Sequence, residues 1–153
     1  MKDKIMTDTP EKLQSLLTDF AALTDRHERA EYLIEIADRF ADVRVPADIS
    51  TRPHPEENHV QMCESDAYVW AVPQADGTQK YYFDVLNPQG LSAMALSVIL
   101  SEALSNQPLD AVANVKSDIV FTIFGREVAM GKGQGLMGIV NMVQYAAKTK
   151  LSE

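Results

Sequence analysis

The sequence offers one soft nucleophile: Cys63, the only cysteine in 153 residues, within the stretch HVQMCESDAYVWAV. A lone cysteine forms no internal disulfide, so its chemistry is that of a free thiol, which attacks and exchanges sulfur once it is a thiolate. It stands where a polar, proline-rich segment gives way to an apolar one, a junction that favours at least intermittent exposure. Free cysteines are nevertheless among the most buried residues, and position alone leaves an inert, packed thiol open. Glu64 and Asp66 beside it disfavour a negative sulfur, so an activator must come from elsewhere. His59, the helix terminus near Lys132 and a partner's site are the candidates.

The remaining chemistry-bearing residues form weaker patterns. His54 and His59 lie five apart beside Glu56 and Glu57, a poor metal pattern, and one cysteine leaves a structural zinc site short of soft ligands. Gly133, Gly135 and Gly138 match G-x-G-x-x-G, yet no acidic residue stands at the required distance and no return strand can follow to make a nucleotide crevice. Gly131-Lys132 departs from a P-loop, because the upstream glycine is one residue too far and Gly133 replaces the magnesium-holding hydroxyl. These glycines read instead as a tight turn entering a helix whose free N–H groups can receive an anion or a thiolate. No G-x-S-x-G elbow supports a serine hydrolase.

Elements must position Cys63. Thr9 as N-cap and Pro10 at the first helical position open a helix with Leu13, Leu16, Leu17 and Phe20 on one stripe. Asp25, with Glu28 three residues on, opens a second helix whose apolar side is Ala30, Leu33, Ile34, Ala37 and Phe40, and the two form a helical hairpin. Residues 43–58 read as an extended connection. The runs AYVWAV and QKYYFDV flank the turn signal Asp76-Gly77 and read as a β-hairpin with one face covered, to which HVQMC adds a possible third strand. Leu91 to Leu104 is apolar around most of its circumference and reads as the central helix. Asp118 to Phe124 reads as a helix capped by Ser117, and a last helix runs from about Gln134 to Lys150.

The fold class is therefore α+β, a small antiparallel sheet against several helices, in one domain over residues 10–150 behind a flexible N-terminus, 1–9. With 46% hydrophobic and 24% charged residues the composition is that of a globular protein. Twenty-two acidic against fourteen basic residues give a net charge of -8, with no basic run, so nucleic acid is a poor partner. The charged N-terminus and the lack of a spanning apolar run make the cytoplasm the expected compartment and exclude a membrane role.

The helix ERAEYLIEIADRF, the block CESDAYVW, the hairpin, the central helix and GKGQGLMGIV follow one another in an order that resembles the SufE family of sulfur acceptors over roughly residues 10–150. The family block is of the type Gly-Cys-x-Ser-x-Val-Trp, matched by Cys63, Ser65, Val69 and Trp70. Met62 replaces the glycine, and the spacing from Ser65 to Val69-Trp70 is two residues longer. That even insertion leaves Val69 and Trp70 on their original sheet faces, where their role is core packing. Lys132 stands where the family usually carries arginine, keeping the charge but not the bidentate guanidinium.

The resemblance implies a scaffold-protein-like α+β fold with a curved antiparallel sheet and the cysteine on a loop at its end. It implies that Cys63 accepts persulfide sulfur from a pyridoxal phosphate-dependent cysteine desulfurase and passes it to an iron-sulfur scaffold protein, stimulating the desulfurase. Lys132, Ser65 and His59 would bind the partner or support the thiolate. The protein itself would need no cofactor. Monomer and homodimer both stay open. Two rivals remain: an interaction protein of this fold without sulfur transfer, and a cysteine hydrolase using Cys63 with His59, His54 or His27 as base.

Overall fold

The computed structural model describes residues 9–126, 128 and 130–153. The flexible N-terminus expected for residues 1–9 therefore lies, apart from Thr9, outside the described residues. Helix α1, Glu11–Ala22, has Pro10 in the capping position, one residue later than the sequence suggested, and no side chain caps it. The extended Pro10 backbone nonetheless directs its carbonyl to accept from the Gln14 N–H at 2.9 Å, the first helical bond. Asp25 caps α2, Arg26–Ala37, as expected, its carboxylate accepting from the N–H groups of His27 at 2.7 Å and Glu28 at 3.4 Å. The pattern of α2 runs on through a turn into a separate short helix, α3, Phe40–Val43.

Helices α1 and α2 meet where Phe20 stacks on Tyr32 at 4.8 Å, but α2 packs chiefly on the central helix α4, Leu91–Leu104, and α1 on α4 and on the later helix Ile119–Phe124, instead of on each other as a hairpin. One consequence corrects the sequence reading of α2. Its buried line is Ile36, Ala37 and then Phe40, while Ala30 is exposed and Ile34 is 46% exposed.

Strands β1, Ala67–Pro73, and β2, Gln79–Val85, pair antiparallel with Ala67 opposite Val85 and Val69 opposite Phe83. The turn forms as its residues dictate, with Gly77 at φ 89° and the Thr78 N–H donating to Asp76 at 3.0 Å. Ala67, Val69, Tyr81, Phe83 and Val85 alternate onto one buried face, and α4 and the last helix pack against the hairpin. Tyr81 reaches α4 through its carbonyl, which accepts from Ser101 Oγ at 2.7 Å.

The opposite face is covered too, which the sequence reading did not foresee. Residues 44–59 run across it as a strap that includes a single turn of 3-10 helix, Glu56–Asn58. His54 lies edge-on to Trp70 at 4.7 Å and Tyr68 at 5.1 Å, and Asn58 donates to the Val69 carbonyl at 2.8 Å. HVQMC makes only an isolated bridge from His59 to Tyr68 and is no third strand, because Met62 turns the chain away at φ 65°.

After α4 come α5, Leu109–Ala113, α6, Ile119–Phe124, and α7, Met130–Leu151. Helix α5 is an addition to the sequence reading. Helix α6 forms where expected, though it follows Asp118 with no side-chain cap from Ser117. The last helix begins at Met130, so the glycines read as a turn lie inside it. Among the described residues this makes seven α-helices and one two-stranded sheet.

Candidate functional site

Cys63 sits on a loop tied shut at its base. The Val60 N–H donates to the Ala67 carbonyl at 2.8 Å, and inside that closure the Asp66 N–H donates to the Cys63 carbonyl at 3.2 Å. Met62 and Asp66, at φ 65° and 52°, flank the turn in the left-handed region, a conformation that costs an ordinary L-residue about 1 kcal/mol or more. The outer side of the loop is held by the segment after β2, where the Leu86 and Asn87 N–H groups donate to the carbonyls of Asp66 and Ser65 at 3.1 and 3.2 Å.

The floor of the loop is helix α7. A Cβ added at Gly135 would lie 3.0 Å from both the Cys63 Cα and the Met62 carbonyl oxygen, and one at Gly138 would lie 3.0 Å from Val60 Cγ1. Gly90, just before α4, performs the same service for Ser65, since a Cβ there would meet Ser65 Cβ and Oγ at 2.8 Å. Glycine at these positions is thus a packing requirement of the cysteine loop. The spacing of residues 131, 135 and 138 on one helical face was the available signal, hidden behind the reading of a turn.

Cys63 is half-buried while Met62 beside it is 74% exposed. The thiol residue opens on a cavity of about 350 Å³ lined also by Ser65, Asn87, Ser92, Lys132 and Leu136, with Glu64 at its edge. Three of the residues singled out from sequence, Cys63, Ser65 and Lys132, are therefore brought together although 69 positions separate the first from the last. Lys132 lies in the first turn of α7, where its charge and the helix N-terminus give the cavity a positive side opposing Glu64.

His59 stands outside this cavity. Its Nδ1 faces Glu56 at 3.3 Å and its Nε2 faces Asp66 at 3.2 Å, so its ring joins the start of the loop to its end. His54 is buried, with Nδ1 paired to Ser50 Oγ at 2.7 Å and Nε2 to Asp84 at 2.8 Å, and His27 is exposed on α2. Among the described residues no histidine lines the cavity, so His27, His54 and His59 do not stand there as the base that the hydrolase reading assigned to them. Among the described residues no three His, Cys, Asp or Glu side chains converge as a metal would need.

The Ser50, His54 and Asp84 chain has the residue types of a hydrolytic triad and the wiring of a strut. Asp84, 2% exposed on the strap side of β2, also receives Arg52 bidentately at 2.9 and 3.0 Å. Burial pushes its carboxyl up, but hydrogen bonds from Arg52 and His54 outweigh that and hold it down at about 2. This network fastens the strap to β2 and so fixes the stem from which the cysteine loop projects.

The sequence of residues 14–147 matches the family model described as SufE, Fe-S metabolism associated domain. No curated protein matches the chain. Among solved structures, the chain is similar to the solution structure of a hypothetical protein from Thermus thermophilus, with a TM-score of 0.69 and 24% identity over 95% of this chain and 99% of that one. That likeness supports the α+β fold. Among the described residues no helix is long and apolar enough to cross a membrane.

Proposed function

Because this chain belongs to the SufE family and so to iron-sulfur metabolism, we propose that it is a sulfur acceptor, taking persulfide sulfur from a cysteine desulfurase onto Cys63 and delivering it to an iron-sulfur scaffold. The observation that carries the proposal is the convergence of Cys63, Ser65 and Lys132 on one cavity, at the tip of a loop packed on glycines.

The Cys63 thiolate attacks the terminal sulfur of the desulfurase persulfide. A sulfur-sulfur bond forms to Cys63 as the donor's own sulfur-sulfur bond breaks, and the donor cysteine leaves as its thiolate. The terminal proton stays with the transferred sulfur, so no external oxidant or reductant is needed. Rate follows thiolate fraction, nucleophilicity and access. Lys132 brings a positive charge and Ser65 a hydroxyl to the cavity that receives the sulfur, and His59 braces the loop through Asp66. Pyridoxal phosphate belongs to the desulfurase, and this chain supplies the thiol, its shelter and its presentation.

The test is desulfurase turnover, measured as alanine release from cysteine with and without this protein. The parent should stimulate turnover and Cys63→Ser should not. Equal stimulation by both would make it an interaction protein that works without sulfur transfer.

A further inference from the structure

Beside the cysteine cavity lies a larger one of about 610 Å³, and Ser92 and Lys132 line both. Its walls carry Arg29, Arg126 and Lys132, and among the described residues no acidic side chain lines it. That is a local reversal of sign in a chain whose net charge is -8. Arg29 is fixed in the wall, donating to the carbonyls of Thr122 and Ile123 at 2.9 Å and of Leu23 at 2.8 Å. These contacts hold the guanidinium in place, and among the described residues no carboxylate forms an ion pair with it. Arg126 and Lys132 are exposed at the mouth.

The cavity is also apolar. Leu33 and Phe124 lie in it half-buried, and Leu91, which lines the adjoining cysteine cavity, is 43% exposed. Ala30 and Leu33 belong to the stripe of α2 that by sequence should have been core, so the departure of α2 from its predicted burial is what lines this groove.

Resting on the sulfur-acceptor reading, we propose that this groove is the docking site for an acidic segment of the sulfur-donating desulfurase, one in which an apolar side chain is flanked by Asp or Glu. The apolar residue enters between Leu33 and Phe124 while the carboxylates meet Arg126 and Lys132. A basic groove in an acidic protein selects such a segment by charge, and its continuity with the cysteine cavity sets the donor persulfide beside Cys63. Docking of this kind speeds association and weakens with salt.

The experiment measures association of the parent, Arg126→Glu and Lys148→Glu with the desulfurase encoded in the same organism, at several salt concentrations, with sulfur gain on Cys63 followed in parallel. Lys148→Glu makes the same charge change at the far end of α7. The proposal expects association of Arg126→Glu to slow by about tenfold at low salt, with a shallower salt dependence, while Lys148→Glu matches the parent. Circular dichroism of each variant establishes folding. Arg126→Glu binding like the parent, or both variants slowing equally, overturns the groove while sulfur gain on the parent leaves the acceptor reading standing. Neither binding nor sulfur gain by the parent overturns both.

Discussion

The glycines of α7 permit a test that separates folding from site geometry. Alanine in place of a helical glycine stabilises the helix by up to about 1 kcal/mol. At Gly131 a new Cβ meets only Glu64 Oε1 at 3.9 Å, and at Gly133 it makes ordinary contact with Val128 and Phe121 at 3.6 and 3.7 Å. Both substitutions should realise most of the helical gain. At Gly135 the new Cβ lies 3.0 Å from two backbone atoms of the cysteine loop, which cannot rotate away as a side-chain end would. Overpacking of this sort costs about 1–3 kcal/mol, so the helical gain is cancelled or exceeded and the net change lies between zero and about 2 kcal/mol destabilising. Strain relief requires Met62 and Cys63 to move by a few tenths of an ångström, which alters thiol exposure. The assay is urea denaturation together with the rate of Cys63 alkylation by iodoacetamide. Gly135→Ala should lose the stability gained by Gly131→Ala and alone change the alkylation rate. A Gly135→Ala protein as stable as Gly131→Ala, with parental alkylation, would refute the claim that α7 forms the floor of the loop.

The other expectations concern stability. Asp84 has a folded-state value of about 2 against an ordinary 3.8, so it contributes about 2 kcal/mol that is present above pH 4 and lost as pH falls from about 4 to 2. Asp84→Asn should lower the denaturation midpoint at pH 7 and flatten its fall in acid, whereas an unchanged acid profile would remove Asp84 as the cause. Asp25→Ala should cost about 1 kcal/mol through loss of the α2 cap, read as a lowered thermal midpoint with the sulfur-acceptor chemistry retained.

Some of this structure was legible because local and global preferences agree. The hairpin has alternating strands around Asp76-Gly77, and α4 is apolar on all sides, so both appear at the positions their residues dictate. The start of α7 was hidden because glycine disfavours helix, and the approach of the cysteine loop to Gly135 and Gly138 is visible only in the fold. Ile34 carries a helical pattern but is 46% exposed instead of lying in the core, since periodicity marks an apolar stripe without saying what covers it. At the site, Cys63 was evident as a unique thiol, and Ser65 and Lys132 followed from a family resemblance. Gly90 and the Asp84 network were not, because close approach and partners 30 and 32 residues apart exist only in the fold.

The central claim, that Cys63 carries sulfur, is tested most directly by intact mass spectrometry after incubation with cysteine and the desulfurase encoded in the same organism. The account predicts that the parent gains one or more sulfur atoms, removed by reductant, and that Cys63→Ser gains none. No gain on the parent, with the desulfurase itself shown to be persulfidated, would contradict it.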